Sequence, residues 1–221
     1  MILVKPSFEV MEIMRNPGSL QLIEEAGRTC YKSEDDMTAE SAVIFAGMRI
    51  KQGHESVIEH SAATVRIICD RGVTHELVRH RLASYSQEST RYCNYKGGVT
   101  FVIPPWVSET VKVGEYRYGI YPKDLNIQAD ARWMSALMNA EDEYIQLLEV
   151  GWSPQQARSV LPNSLKTEIV VTANFREWRH IFTLRTAKSA HPQMREIMIP
   201  LLAAFKERVP VVFAGIDHPN G

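Results

Sequence analysis

The sequence predicts a mixed fold of helices and strands, most simply a single domain. Two hydrophobic patterns carry that expectation. Runs rich in β-branched residues and bounded by turn signals, such as ATVRIICD (residues 63–70) and LKTEIVVTA (residues 165–173), read as strands. Elsewhere apolar residues recur at helical spacing. The clearest case is residues 128–150, where Trp133, Leu137, Tyr144, Leu147 and Leu148 define a long amphipathic helix ended at Gly151. At 221 residues and 45% hydrophobic, the chain can bury a proper core without staples.

Taken in order, MILVKP reads as a short strand ended by Pro6, and NPGSLQLIEEAGRTC as a helix with Asn16 capping and Pro17 in its first turn. Thr38 begins a second helix, with apolar Val43, Ile44, Phe45, Met48 and Ile50 as packing residues and Gly53 as its stop. In HESVIEH (residues 54–60) the histidines are six apart, not the four that put both on one helical face, so no metal is expected. Ser56 and Glu59 fit a capping box there. Residues 63–70 form a central strand that leads to a helix over residues 72–82. VTFVIPP (residues 99–105) is a strand stopped by paired prolines, and residues 106–126, whose weak periodicity is compatible with a helix plus a loop, carry no assigned chemistry. Ser153 and Pro154 start a short helix that brings Arg158 to a stop at Pro162. The strand over residues 165–173 runs into a helix over residues 174–185. Its apolar stripe is Phe175, Trp178 and Phe182; Arg176 and His180 share a second face, and Asn174 and Arg185 a third, nearly opposite. Such flanks suit either solvent or an element wedged between two ligand sites. HPQMREIMIPLLAAFKERVP is the last helix, and VVFAGI a short terminal strand or extended tail.

Charge and cysteine usage narrow the function. Lys+Arg 25 against Asp+Glu 26 gives a net charge of -1, so any basic cluster is local, which counts against a dedicated nucleic-acid binder. Cys30, Cys69 and Cys93 have neither the even count nor the spacing of a disulfide framework or zinc site, and a reducing cytoplasm fits them best. No signal-like leader and no apolar run of bilayer length is visible, so a cytoplasmic protein without a membrane partner is expected.

The chemistry concentrates in RHRLASYSQESTR (residues 79–91). Arginine stays protonated and offers a planar fork matched to phosphate oxygens, which makes Arg79, Arg81 and Arg91 candidate phosphate or pyrophosphate ligands. Ser84, Ser86, Ser89 and Thr90 can complete the shell. On a helix Arg79, His80 and Arg81 would fan out by about 100° each. They then either serve different parts of a ligand or sit where the helix unwinds, as a site between two ligands or two subunits requires. No G-x-G-x-x-G or Walker pattern is present, so a dinucleotide would be held without either cradle.

The R-H-R to S-T-R-Y motif is similar to the signature of the flavin-dependent thymidylate synthases. H-E-S-x-x-E-H, A-R-x-x-L-P and N-x-R-x-x-x-H-x-x-x-x-R extend the resemblance through most of the chain. The resemblance implies an α+β fold with helices around an antiparallel sheet, one domain over residues 1–221, and a homotetramer with FAD between subunits. It implies reductive methylation of dUMP to dTMP, with methylenetetrahydrofolate as carbon donor and NADPH reducing FAD. The implied FAD contacts are Ser56, Arg79, His80, Arg81, Gln87, Asn174, Arg176 and His180, with His54 near the flavin. The implied dUMP contacts are Glu76, Leu77, Val78, Arg79, Gln87, Glu88, Ser89, Thr90, Arg91, Arg158 and Arg185. Gln87 stands where some relatives have glutamate, and His180 where some have asparagine; both keep hydrogen-bonding capacity.

Uracil carbon 5 is a weak nucleophile, and an arginine facing the ring imide would push electron density toward it. Arg185 is the matching position and the expected catalytic residue. Cys93 is then not needed as a nucleophile, and Ser89, with no positioned base in view, suits a phosphate better. Two rivals are a non-catalytic nucleotide- or RNA-binding module using the same arginines, and a different flavoprotein that keeps the FAD site.

Overall fold

The structure, a computed structural model, describes residues 1–11, 18–117, 119–120, 122 and 128–216. Its strands are β1 (Ile2–Val4), β2 (Ser7–Val10), β3 (Ala62–Asp70), β4 (Ala83–Gln87), β5 (Thr100–Val102), β6 (Gly114–Glu115) and β7 (Lys166–Asn174). Its helices are α1 (Gly18–Thr29), α2 (Ser41–Lys51), α3 (Arg71–Leu77), α4 (Gln128–Glu149), α5 (Pro154–Ala157), α6 (Phe175–Arg185), α7 (Pro192–Arg208) and α8 (Pro210–Phe213). The expected cap of α1, Asn16 with Pro17, lies outside the described residues.

The four-stranded sheet has the order β2-β3-β7-β4, so the strand expected to be central, β3, is central. Along β3 and β7 every second residue is buried, the period of a pleated strand with one covered face. Phe175 N donates to Ser61 O at 2.8 Å, and the hydroxyls of Thr64 and Thr172 meet at 2.8 Å. Partner numbers fall on one strand as they rise on the other, which makes β3 and β7 antiparallel. Met11 N donating to Thr64 O, with Arg66 3.6 Å from Glu9, sets β2 against β3 in the same sense. The α+β class with an antiparallel sheet is therefore the observed one. A second sheet, β5-β1-β6, was not foreseen and contains a parallel pair, Ile2 opposite Thr100.

The chain divides into two compact units, each assembled from three stretches. The first holds Met1–Ser7, Ile67–Leu77 and Ser86–Ile169; the second holds Phe8–Arg66, Val78–Tyr85 and Val170–Gly221. In the first, α4 buries Met134, Leu137, Met138 and Tyr144 together with Leu3, Phe101, Ile103 and Leu165. Gly151 adopts φ +98 just past α4, a left-handed stop that only glycine takes cheaply. In the second, Phe175, Trp178 and Phe182 of α6 are fully buried, as their spacing predicts, and form an aromatic cluster with Phe205 and Phe213 at centroid distances of 4.9–6.0 Å. Each ring contributes roughly 1.5–3 kcal/mol through burial. Trp178 Nε1 donates to Ala63 O at 2.9 Å, so this large, fully buried side chain leaves no orphan polar group.

Several sequence expectations are corrected. The second helix starts at Ser41 rather than Thr38, because Thr38 N donates to Ser41 Oγ and holds the intervening residues in a turn. Val43, Ile44 and Met48 do not pack inward; they are 52%, 65% and 46% exposed. VVFAGI is neither strand nor tail: Pro210 starts α8, and Val212 and Phe213 are pulled into the core. The described part of residues 106–126 has turns and β6 but no helix. No helix among the described residues is long and apolar enough to cross a membrane.

Candidate active site

The helix expected over residues 72–82 ends at Leu77. Asp70 Oδ1 accepts from Val73 N and starts it, and buried Leu77 closes it. Arg79, His80 and Arg81 therefore lie on the turn between α3 and β4, not on helical faces, which is the unwound alternative that their spacing left open. Arg79 and Arg81 are exposed, whereas His80 is only 6% exposed.

His80 is held from several directions within the second unit. Arg185 Nε donates to its Nε2 at 2.9 Å, its Nδ1 lies 3.4 Å from Glu177 Oε1, and its ring packs edge-on against His180 at 5.6 Å. Tyr85 donates its hydroxyl to the His80 carbonyl at 2.8 Å. Burial, then the Arg185 cation and His180, lower the His80 pKa to about 4, so the ring is neutral at physiological pH. Burial, helped by Glu177, pushes the Tyr85 phenol up to about 12. Arg185 does not stand apart from the His180 side of α6 as the wheel implied, because His80 touches both.

The start of α6 opens onto a cavity of about 750 Å³, lined by Glu55, Glu59, Leu82, Asn174, Arg176, Glu177, Arg179, His180 and Thr183. Asn174 is the N-cap of α6, and its Oδ1 accepts from Glu177 N at 2.8 Å. It thus shares this cavity with Arg176 and His180 instead of a face with Arg185. Arg176 bonds Glu59 at 2.6 Å and lies 3.9 Å from Glu55, and the Glu59 contact raises its pKa further. Arg179 pairs with Glu55 at 3.1 Å and donates to Val212 O. The expected Ser56–Glu59 capping box is absent: Glu55–His60 is a 3-10 turn whose Glu59 faces Arg176. His54, at the head of that turn, meets the Tyr31 hydroxyl at 3.2 Å, and Ser56 is exposed.

A second cluster lies in the first unit. A cavity of about 440 Å³ is lined by Arg71, Thr90, Gln155, Arg158, Ser159, Leu161, Pro162, Asn163 and Leu165. The box of Ser153 with Gln156 starts α5 and delivers Arg158, whose Nη1 donates to Thr90 Oγ1 at 2.8 Å. Arg91 Nε donates to Gln155 Oε1 at 2.7 Å, and Ser89 Oγ accepts from Arg91 N at 3.3 Å. Glu88 is fixed at both oxygens, by the Tyr95 hydroxyl and by Lys166 Nζ, each at 2.8 Å. Gln87 Nε2 donates to Thr74 and Thr167. Cys93 is half-buried beside this segment, and Cys69 is a buried core thiol whose pKa burial pushes up.

The sequence-predicted residues thus sort by unit. Of the implied dUMP set, Glu76, Leu77, Gln87, Glu88, Ser89, Thr90, Arg91 and Arg158 fall in the first, with Val78, Arg79 and Arg185 in the second. The implied FAD set falls in the second apart from Gln87. Sequence reasoning missed Arg71, whose buried Nη1 has no hydrogen-bond partner among the described residues, and Glu177. For Glu177 a signal existed: Asn174 with glutamate three residues on is a helix-start pattern. For Arg71 there was none.

Comparison with known proteins identifies the family. The family described as thymidylate synthase complementing protein matches over residues 10–211. The flavin-dependent thymidylate synthase of Corynebacterium efficiens is 35% identical over 207 residues, covering 89% of this chain and 79% of its own. Those of Geobacter sulfurreducens and Mycobacterium tuberculosis are 33% and 34% identical, covering 91% and 90% of this chain and 83% and 80% of theirs. The UMP/dUMP methylase PolB from Streptomyces cacaoi, solved with 5-Br dUMP, superposes with a TM-score of 0.76 at 25% identity, over 97% of this chain and 96% of that one. With a family match over nearly the whole length and relatives above 30% identity, the chain belongs to the flavin-dependent thymidylate synthases.

Proposed function

We propose that this chain converts dUMP to dTMP by reductive methylation, with methylenetetrahydrofolate as carbon donor and FAD as the flavin. The observation that carries the reading is the pairing of Arg185 with His80 on the helix whose other end opens the polar cavity. When bound, FAD reduced by NADPH supplies the electrons of the reaction. The residues present suit such a group: Arg176 and Arg179 face the cavity with Asn174 and His180, and both guanidiniums are engaged by Glu55 and Glu59, carboxylates that a pyrophosphate can replace. His54, Ser56, Arg79, His80, Arg81 and Gln87 complete the proposed FAD contacts.

For dUMP, Arg158 and Arg91 with Ser89 and Thr90 offer charged forks and hydroxyls to a phosphate. Arg71 lines the same cavity, and its buried Nη1 has no hydrogen-bond partner among the described residues. Glu88, pinned by Tyr95 and Lys166, is a fixed acceptor, and Glu76, Leu77, Val78, Arg79 and Gln87 complete the set. Arg185 stabilises charge developing on the uracil ring as carbon 5 becomes nucleophilic. The methylase PolB, with its bound dUMP analogue, supports this choice of substrate. The relatives compared above favour the enzyme over the rival of a non-catalytic nucleotide- or RNA-binding module.

The active form is a cytoplasmic homotetramer with FAD at subunit interfaces, and residues 1–221 form one family domain. The outward Val43, Ile44 and Met48 of α2 support burial against another copy, since they otherwise leave an apolar face in water. The absorbance spectrum of the purified chain, after reconstitution with FAD, tests the reading. Flavin bands that shift on adding dUMP are expected; a protein that takes up no flavin would refute it.

A further inference from the structure

Glu177 is in none of the ligand sets that the motifs imply, yet it is only 7% exposed and its carboxyl group faces His80. The chain Glu177–His80–Arg185 has a fixed polarity. Arginine has donors and no acceptor, so the Nε2 that receives Arg185 Nε–H must carry a lone pair. A neutral imidazole then holds its one proton on Nδ1, the nitrogen 3.4 Å from Glu177 Oε1. Either protonation state of Glu177 retains an oxygen that can accept it. The other groups around His80 are consistent with this. The His180 ring meets it edge-on, and Tyr85 fixes its carbonyl, so neither ring nitrogen is assigned to them.

His80, Glu177 and His180 also place potential ligand atoms within 4.8 Å of one another. A cation would have to displace either the Arg185 contact or the Nδ1 proton from His80, so the arrangement favours a relay over a metal site.

We propose that Glu177 is a positioning residue: it pins His80 in the Nδ1–H tautomer, and the His80 Nε2 lone pair in turn fixes the Arg185 guanidinium for the substrate. This rests on the reading that Arg185 serves the uracil ring. The opposite tautomer would set an Nε2–H against the Arg185 N–H and turn the guanidinium away.

The test is 15N NMR of the histidine-labelled full chain, with His80 assigned by comparison with His80→Gln, together with turnover and FAD content. The wild type should show Nδ1 protonated and Nε2 bare. Glu177→Met fills the space without an acceptor. It should shift His80 toward Nε2–H and lower kcat for dTMP formation, measured at saturating FAD, by about 10–100-fold, the scale of loss when the partner that orients a metal-bound histidine is removed. Glu177→Gln keeps an acceptor and should rescue both. Nε2–H in the wild type, or an unchanged tautomer and kcat in Glu177→Met, would overturn the proposal. Should Glu177→Met not fold, the wild-type and Glu177→Gln spectra decide it, Nε2–H in either counting against it. Arg185→Ala, run alongside, separates the two failures. Full turnover in that variant removes the reading of Arg185 itself, whereas a crippled Arg185→Ala beside a fully active Glu177→Met removes only the positioning role.

Discussion

Arg185 donates its Nε–H to His80 Nε2 at 2.9 Å, joining the last residue of α6 to the middle of the R-H-R motif across 105 positions of sequence. A motif histidine that looks from sequence like a ligand is thereby committed, at one nitrogen, to holding an arginine.

Arg185→Ala should lower turnover by about 10²–10³, roughly 3–4 kcal/mol, the usual loss when one preorganised donor is removed. Flavin content should survive. Arg176→Ala should reverse the order, weakening FAD first and dUMP only as a consequence, because Arg176 lines the α6 cavity. FAD content, dUMP affinity and dTMP formation, measured for both variants, check this. Loss of flavin in Arg185→Ala, with turnover restored by excess FAD, would contradict it.

Glu59 occupies Arg176 at 2.6 Å, so it competes with an anionic cofactor for the same guanidinium. Both side chains are well exposed, and such a pair is worth at most about 1 kcal/mol. Glu59→Gln should therefore tighten FAD binding modestly, by no more than about fivefold, in a flavin fluorescence titration. Weaker binding would show that Glu59 supports the cofactor instead of competing with it.

Arg71→Met tests the phosphate locus. Loss of one charge-assisted hydrogen bond should raise the dUMP KM by about 10–100-fold. Deoxyuridine, lacking the phosphate, should bind the variant and the wild type equally. Equal loss for both ligands would make Arg71 a structural residue.

Acid should expose the cost of keeping His80 neutral. Its folded pKa of about 4 lies below the ordinary value of 6.5. Between those limits the unfolded chain binds a proton that the folded chain refuses, so stability falls as pH drops through this window. Glu177, raised by burial, acts in the opposite sense above its ordinary range. His80→Gln should flatten the acid side of the stability profile relative to wild type in denaturant titrations from pH 7 to pH 4. An unchanged slope would contradict the assignment.

How much of this was legible in the sequence depended on the range of the interaction. The α6 stripe of Phe175, Trp178 and Phe182, the β-branched run that forms β3, and the Ser153 start of α5 are local patterns, and all are present. The end of α3 was misplaced because residues 78–82 keep helical propensity, while the pull of β4 into the sheet is a tertiary effect. Val43, Ile44 and Met48 have the spacing of a packing face yet point outward, because periodicity reports an apolar face but not what covers it. In the site, the arginine, serine and histidine positions followed from motifs. The partners that set their states, Glu177 for His80, Glu59 for Arg176 and Thr90 for Arg158, come from distant stretches or carry no motif of their own, as with Glu59 and Arg176, 117 positions apart.

The most direct test of the central claim is to incubate the purified chain with dUMP, methylenetetrahydrofolate and NADPH, with and without added FAD, and to quantify dTMP. Formation of dTMP that depends on FAD is the predicted result. A fully flavin-loaded protein that makes no dTMP, or equal dTMP from protein stripped of flavin, would contradict it.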